Sequence, residues 1–297
     1  MKHLASAALL AALPVASHAE TLPEGVSFSG FVEAETLFLT GESRTYGITQ
    51  LDFSYRSAAP LSAGIGWGFD LGLDGLATQG DTARGLSGGV VLTFGQGELV
   101  IGAPRGPMEQ LLDFPEIGGS RVFGLELFML GGNLVKYARL LGESDLLGLR
   151  YDHNFGATDV SLGYFDADGQ GLTEIALRHQ INNYTFVLGA DFFNQGDSQI
   201  IIGAVLADWG KIDAGLKISS VDMGKSTGEI IEAFGSYDIS DRLSATASVV
   251  RVQDFIGSTL YGVSANYDVT QNLYVRGGLV GFDDSETIYS LTIGAKF

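Results

Sequence analysis

Along most of this chain, apolar residues return at every second position. Leu61, Ala63, Ile65, Trp67, Phe69, Leu71 and Leu73 alternate with Ser62, Gly64, Gly66, Gly68, Asp70 and Gly72. Tyr184, Phe186, Leu188, Ala190 and Phe192 are separated by Thr185, Val187, Gly189 and Asp191, and Ile212, Ala214, Leu216 and Ile218 stand against Lys211, Asp213, Gly215 and Lys217. Leu273, Val275, Gly277 and Leu279 repeat the pattern with Tyr274, Arg276 and Gly278 between them. A period of two marks β-strands, because successive side chains point to opposite faces of a sheet. One face is apolar and the other small, polar or charged. A helical period is missing almost everywhere, so the pattern predicts an all-β protein.

The connections come in two kinds. Tight turns, often flanked by aromatics, fall at 58–60, 94–97, 155–158, 181–183, 209–211, 239–242 and 269–272, and more polar stretches fall at 74–83, 167–171, 194–198, 220–227 and 283–285. Alternation alone also suits a soluble sandwich. Short turns at one end, polar loops at the other and aromatics near strand ends instead predict a transmembrane antiparallel up-and-down β-barrel. Strands are expected near 26–39, 46–57, 61–73, 84–94, 97–103, 145–154, 159–166, 172–181, 183–193, 198–208, 211–220, 228–238, 242–252, 258–268, 272–282 and 286–297. That makes sixteen, at roughly 17 residues per strand with its connection, which suits strands of about ten residues crossing a tilted wall. An even count leaves both termini at the tight-turn end. Segments 122–130 and 134–141 could add one more hairpin and give eighteen; sixteen is the expectation.

Met1 and Lys2 form a short positive end, Leu4 through Val15 are mostly apolar, and Ser17-His18-Ala19 puts small residues where a signal peptidase reads. Residues 1–19 are therefore expected to be a cleaved signal peptide and 20–297 the barrel, the plain alternative being a first buried helix. At the other end Tyr289, Leu291, Ile293, Ala295 and Phe297 alternate with Ser290, Thr292, Gly294 and Lys296. This resembles the C-terminal strand that the assembly machinery recognises in Gram-negative outer-membrane barrels, with its terminal aromatic.

Composition narrows the classes further. The chain carries 17 Lys plus Arg against 35 Asp plus Glu, a formal net charge of −18, and losing the leader with its single Lys makes that −19. So acidic a chain is a poor nucleic-acid binder, since phosphate neutralisation needs clustered bases. With no Cys there is no disulfide scaffold and no Cys-ligated metal. At 45% hydrophobic residues the chain is too apolar for a solvated coil. It holds 42 Gly, about twice the usual share.

Gly88-Gly89-Val90-Val91-Leu92-Thr93-Phe94-Gly95-Gln96-Gly97-Glu98-Leu99-Val100-Ile101-Gly102 resembles the strand, Phe-Gly turn and strand that precede the long inward loop of Gram-negative general porins. Leu149-Arg150-Tyr151-Asp152-His153-Asn154-Phe155-Gly156 is similar to the stretch where that family re-enters the wall. The resemblance implies that 104–144 folds into the barrel and narrows the pore. It also implies a homotrimer in the outer membrane, in contact with lipid and lipopolysaccharide, passing small hydrophilic solutes and ions by passive diffusion. A connection of that length is itself a mark of function. The chain departs from the family where an Arg often follows the Gly before the loop: Ala103 stands there and Arg105 is displaced by two, while a basic wall position falls on Gln50. Thinning the bases tilts the expectation toward a mild cation preference.

The candidate constriction residues are the loop acids Glu109, Asp113 and Glu116, since 108–120 contains no base. Acids facing bases across a narrow pore set a transverse field and tune charge selectivity. Strand phase offers Glu33, Glu35, Gln50, Arg56, Arg150, Arg178, Lys217 and Arg276 as wall residues, because Arg or Lys on the lipid face costs about 2–4 kcal/mol at mid-depth. Any of them could instead be a solvated charge elsewhere in the lumen. Tyr289, Leu291, Ile293 and Phe297 are the candidate assembly signal. Gly64, Gly66, Gly68 and Gly72 share an inward face, where Gly weakens a strand unless something approaches closely. Beyond the leader only His153 and His179 remain, with no His-x-x-x-His, so no enzyme is expected. No cofactor is expected either; Asp166-Ala167-Asp168-Gly169 and Asp283-Asp284 could hold structural calcium, but such acidic stretches are ordinarily turns. Two rival readings are a barrel acting as anchor or adhesin and a secreted all-β binding protein.

Overall fold

The computed structural model describes residues 22–62, 64–78, 80–123, 134–141, 146–167, 169–193, 198–224, 226–254, 257–283 and 287–297. The expected leader, Asp168, Asp284 and segments 124–133 and 142–145 lie outside them. Sixteen strands close into one antiparallel barrel in which every strand is hydrogen-bonded to its neighbours in the chain and β1 meets β16. They are β1 Val26–Leu39, β2 Glu42–Arg56, β3 Ile65–Ala77, β4 Thr82–Phe94, β5 Gly97–Ala103, β6 Leu147–Asn154, β7 Thr158–Ala167 and β8 Gln170–Ile181. The second half adds β9 Tyr184–Phe193, β10 Ser198–Asp208, β11 Ile212–Met223, β12 Thr227–Ser240, β13 Leu243–Val252, β14 Ser258–Asp268, β15 Leu273–Phe282 and β16 Ile288–Lys296.

Two expectations change. Leu134–Leu141 is an α-helix and not half of an extra hairpin, which settles sixteen over eighteen. Its sequence puts Val135 and Arg139 one turn apart on a buried face, and its Leu, Lys, Ala and Arg are good helix formers. Strand β3 begins at Ile65 and runs to Ala77, four residues later than the alternation suggested. Ahead of it the Leu61 N–H donates to the Ile65 carbonyl at 2.9 Å, and Gly64 stands at φ 84°. In compensation, Asp74 lies within the strand and not in a polar loop.

Register confirms the two faces. Phe31 pairs with Gln50, Gln50 with Asp74 and Asp74 with Gly85, so these residues share the inner face of β1–β4. The outer face is apolar and uncovered: Leu86 is 71% and Leu188 57% exposed, with Leu71, Ile201, Leu216 and Ile293 of the same kind. An apolar belt of that extent belongs in lipid and not in water. Near the tight-turn end aromatics pack edge to face, Tyr55 with Trp67 at 5.8 Å and Tyr184 with Trp209 at 6.3 Å. Phe297 donates its N–H to the Gly30 carbonyl at 3.0 Å and packs its ring 5.7 Å from Phe28, tying the last residue to the first strand. Tyr289, Leu291 and Ile293 point outward from β16 and are exposed.

Inside, each strand changes character along its length. On β13 the inward residues run Ser244, Thr246, Ser248, Val250 and Val252 from the tight-turn end, and on β14 Asn266, Ser264, Gly262 and Leu260. The apolar ends are buried because the long connection between β5 and β6 packs against them.

Candidate functional site

That connection follows the inner wall. Helix α1, Pro107–Leu111, lies on β7–β9, where Met108 is fully buried with Ala176, Ile200 and Ile202. The Phe114 ring then meets Lys217 of β11, whose Nζ stands 4.7 Å from the ring centroid. A 3₁₀ turn at Ile117–Gly119 sits on β13–β15, with Ile117 packed among Ile230, Val250, Val252, Leu260 and Val280. Ser120 and Arg121 reach β1, and helix α2, Leu134–Leu141, rests on β3 and β4. Wall glycines make the seat. A Cβ on Gly262 or Gly278 would overlap the Gly118 backbone, and one on Gly189 would overlap the Met108 sulfur. Gly118 itself turns at φ 57°. Of the four glycines read from sequence, only Gly72 lies under the loop: a Cβ there would stand 2.9 Å from the Arg105 guanidinium.

Two ionic clusters pin the loop. In the first, Arg105 donates to Asp52 at 2.6 Å, to Asp74 at 3.0 Å and to Glu109, while Arg139 donates to Asp74 and Glu109, both at 2.8 Å. Lys136 Nζ donates to Gln50 Oε1 at 3.0 Å and stands 3.9 Å from Glu109. Burial would raise the Glu109 carboxyl, but Arg139, Arg105 and Lys136 outweigh it and hold it down at about 2. Burial likewise lowers the Lys136 ammonium despite Glu109 beside it. In the second cluster Glu33 accepts from Arg121 at 2.9 Å, from Arg276 at 3.1 Å and from the Tyr274 hydroxyl. Glu116 pairs with Arg121 at 3.0 Å and Arg276 at 3.2 Å, which bring its carboxyl below the usual range against the pull of burial. Glu35 accepts from the Ser120 hydroxyl and from the Arg121 N–H at 3.0 Å. A third feature is acid alone: Glu174 and Asp191 face each other in register, both fully buried, and Glu174 accepts the Met108 N–H.

Three cavities of the lumen meet at one segment. The first, about 500 Å³, lies toward the tight-turn end along β1–β7; the second, about 570 Å³, along β8–β12; the third, about 460 Å³, on the loop side of β1–β3. Gln110 lines the first and third, Leu111 the first and second, and Asp113 the second and third. Residues 110–113 are therefore the sill of the passage. Asp113 is exposed and forms no ion pair among the described residues.

The sequence candidates divide accordingly. Glu109 is paired with the loop's own Arg105 and Arg139, whereas Glu116 meets the wall base Arg276 as well as Arg121; Asp113 alone of the three is open. Glu33 and Glu35 point inward but are covered by the loop. Gln50 lines the third cavity, Arg178 the second, and Arg56 the first, where it is clamped by Asp70 at 2.6 Å and Glu98 at 3.0 Å. Arg150 donates to the Arg105 carbonyl and to Asp152, both at 2.8 Å, and so props the loop. Lys217 is paired with Glu232. Asp52, Asp74, Arg121, Arg139, Glu174 and Asp191 went unread as site residues. The strand acids among them sit in the inward phase and could have been found by it; Arg121 and Arg139 lie in a stretch with no such pattern. The possible calcium turns have simpler uses, Asp166 accepting the Gly169 N–H at 3.0 Å and Asp283 that of Thr259 at 3.2 Å.

No protein-family model matches the chain, and no curated protein matches it in sequence. Solved structures match its fold. A double mutant of Rhodopseudomonas blastica porin superposes with a TM-score of 0.72 at 15% identity, covering 92% of this chain and 100% of that one. A quintuple mutant of the same porin gives 0.70 at 13%, and a triple mutant 0.69 at 12%, with the same coverage. The chain thus has the sixteen-stranded transmembrane barrel fold of porins, with no segment of those chains left unmatched.

Proposed function

We propose that the protein is an outer-membrane porin, a water-filled channel for passive diffusion of small hydrophilic solutes and ions, with a mild preference for cations. The closed barrel, its apolar belt and the porin fold support the channel. The observation that carries the preference is Asp113, an unpaired carboxylate on the sill where three cavities meet, while Glu109 beside it is neutralised by the buried Arg105 and Arg139. A fixed charge at the narrowest stretch raises the local concentration of counter-ions. No chemistry is assigned; solutes are sieved by the loop and sorted by the lumen field. Export by the 1–19 leader, insertion through recognition of the last strand, contact with lipopolysaccharide and a homotrimeric state belong to the same proposal. The short connections at the loop end favour a channel over an adhesin: between the strands described at that end, none but the inward loop exceeds the steps from Val252 to Ser258 and from Phe282 to Ile288.

Planar-bilayer recording of the purified, folded protein across a salt gradient tests this. Stepwise conductance with a reversal potential of cationic sign is expected. Absence of steps would refute the channel, and a reversal potential favouring chloride would refute the preference.

A further inference from the structure

The third cavity differs in kind from the other two. Phe31, Ile48, Leu112 and Phe114 give it apolar sides, yet the cationic heads of Lys136 and Arg121 line it as well, together with the paired carboxylates of Asp74, Glu109 and Glu116 and the open one of Asp113. The charges stand on opposite sides. Lys136 is held to Gln50 of β2, and the Arg121 guanidinium lies 3.9 Å over the ring of Phe31 on β1. Asp113 belongs to the stretch between α1, which rests on β7–β9, and Phe114, which meets Lys217 of β11. In a barrel of sixteen strands β2 and β10 face each other across the lumen.

Resting on the porin reading, we propose that this cavity is a binding station for zwitterionic solutes with an apolar side chain, in the manner of a free α-amino acid such as phenylalanine. The carboxylate would go to Lys136 and Arg121, the ammonium to Asp113, and the side chain against the rings of Phe31 and Phe114. Arg121 spends its Nε on Glu33 and one terminal nitrogen on Glu116, and its side chain remains 30% exposed toward the cavity. At about 460 Å³ the space lies within the range of small-molecule sites and holds an amino acid with water around it. A simple anion is attracted at one wall and repelled by Asp113. A simple cation has the reverse difficulty with Lys136 and Arg121, so a solute carrying both charges is favoured over either.

The test uses the full-length channel in planar bilayers, with phenylalanine, phenethylamine, phenylacetate and glycine as blockers of the ion current. Phenylalanine is expected to block with a half-blocking concentration about tenfold below those of the two single-charge analogues and of glycine, the loss of one charged contact being a tenfold effect or more. Asp113→Asn and Lys136→Gln should each raise the phenylalanine value about tenfold, and Phe114→Ala should bring phenylalanine close to glycine. Stepwise conductance of each variant certifies that it folded. Equal block by phenethylamine would reduce the cavity to a cation field, and equal block by glycine to a size filter; either overturns the proposal while leaving the porin reading intact. A wild-type protein without stepwise current would instead remove the porin reading beneath it.

Discussion

The two halves of the lumen are lined by the same strands and behave as different materials. Toward the loop end, the inward positions Leu37, Phe165, Ile200, Val250 and Leu260 are buried and form clusters with the loop. Toward the tight-turn end, the inward positions Ser29, Ser54, Asp70, Thr185 and Asn266 remain at least partly open. The first half is a protein core with its hydrophobic side turned inward; the second is a vestibule. Alternation says only that a strand has two faces. What an inward face does depends on whether a loop covers it, and here the cover reaches strands from β1 to β15 while leaving the tight-turn half of the same strands to water.

Breaking the core half should cost most. Arg105→Ala or Arg139→Ala leaves Asp74 and Glu109 buried with one base fewer, a loss of about 3–5 kcal/mol. It should appear as a lower temperature for the heat-dependent shift in electrophoretic mobility, whereas Arg178→Ala in the vestibule should scarcely move it. Next comes the seat: Gly278→Leu intrudes on the Gly118 backbone, costs about 1–3 kcal/mol if the loop holds and raises single-channel conductance if it lifts. A comparable insertion at Ser244 should only narrow the vestibule. Acid should separate the halves by pH. The Glu109 carboxyl is held at about 2 when folded against an ordinary value of about 4.3, so its stabilisation is full above the ordinary value and vanishes as pH falls through about 2. Loop-dependent conductance and heat resistance should therefore persist from pH 7 to about 4, weaken below that and be lost near pH 2, with Glu109→Gln lacking that acid transition. The smallest effect belongs to Asp113→Asn, which should move the reversal potential toward zero by an amount equivalent to about 1 kcal/mol or less, shrinking further in high salt.

Sequence alternation located the wall well, because inward and outward environments differ so sharply that each strand prints its period. It erred where local turns override period, as at Leu61–Ile65, and where a polar residue was assigned to a loop, as with Asp74. Asp74, Glu174 and Asp191 were visible as inward acids, but their partners come from the loop and carry no periodic signature. The glycines were visible as an excess. Which of them bear the loop is set by contacts between segments far apart in sequence, Gly262 on β14 and Gly278 on β15 both meeting Gly118 of the loop, and no single-strand pattern holds that information.

The contrast between the halves can be measured residue by residue, because the chain contains no Cys and every introduced thiol is unique. Ser29→Cys, Thr185→Cys, Ile200→Cys and Val250→Cys all place a thiol on an inward face. With a charged, water-borne thiol reagent applied during bilayer recording, Ser29→Cys and Thr185→Cys should react quickly and change the current, while Ile200→Cys and Val250→Cys stay protected beneath the seated loop. Equal reaction at all four positions, or protection at Ser29→Cys and Thr185→Cys, would contradict a lumen divided into a packed loop seat and an open vestibule.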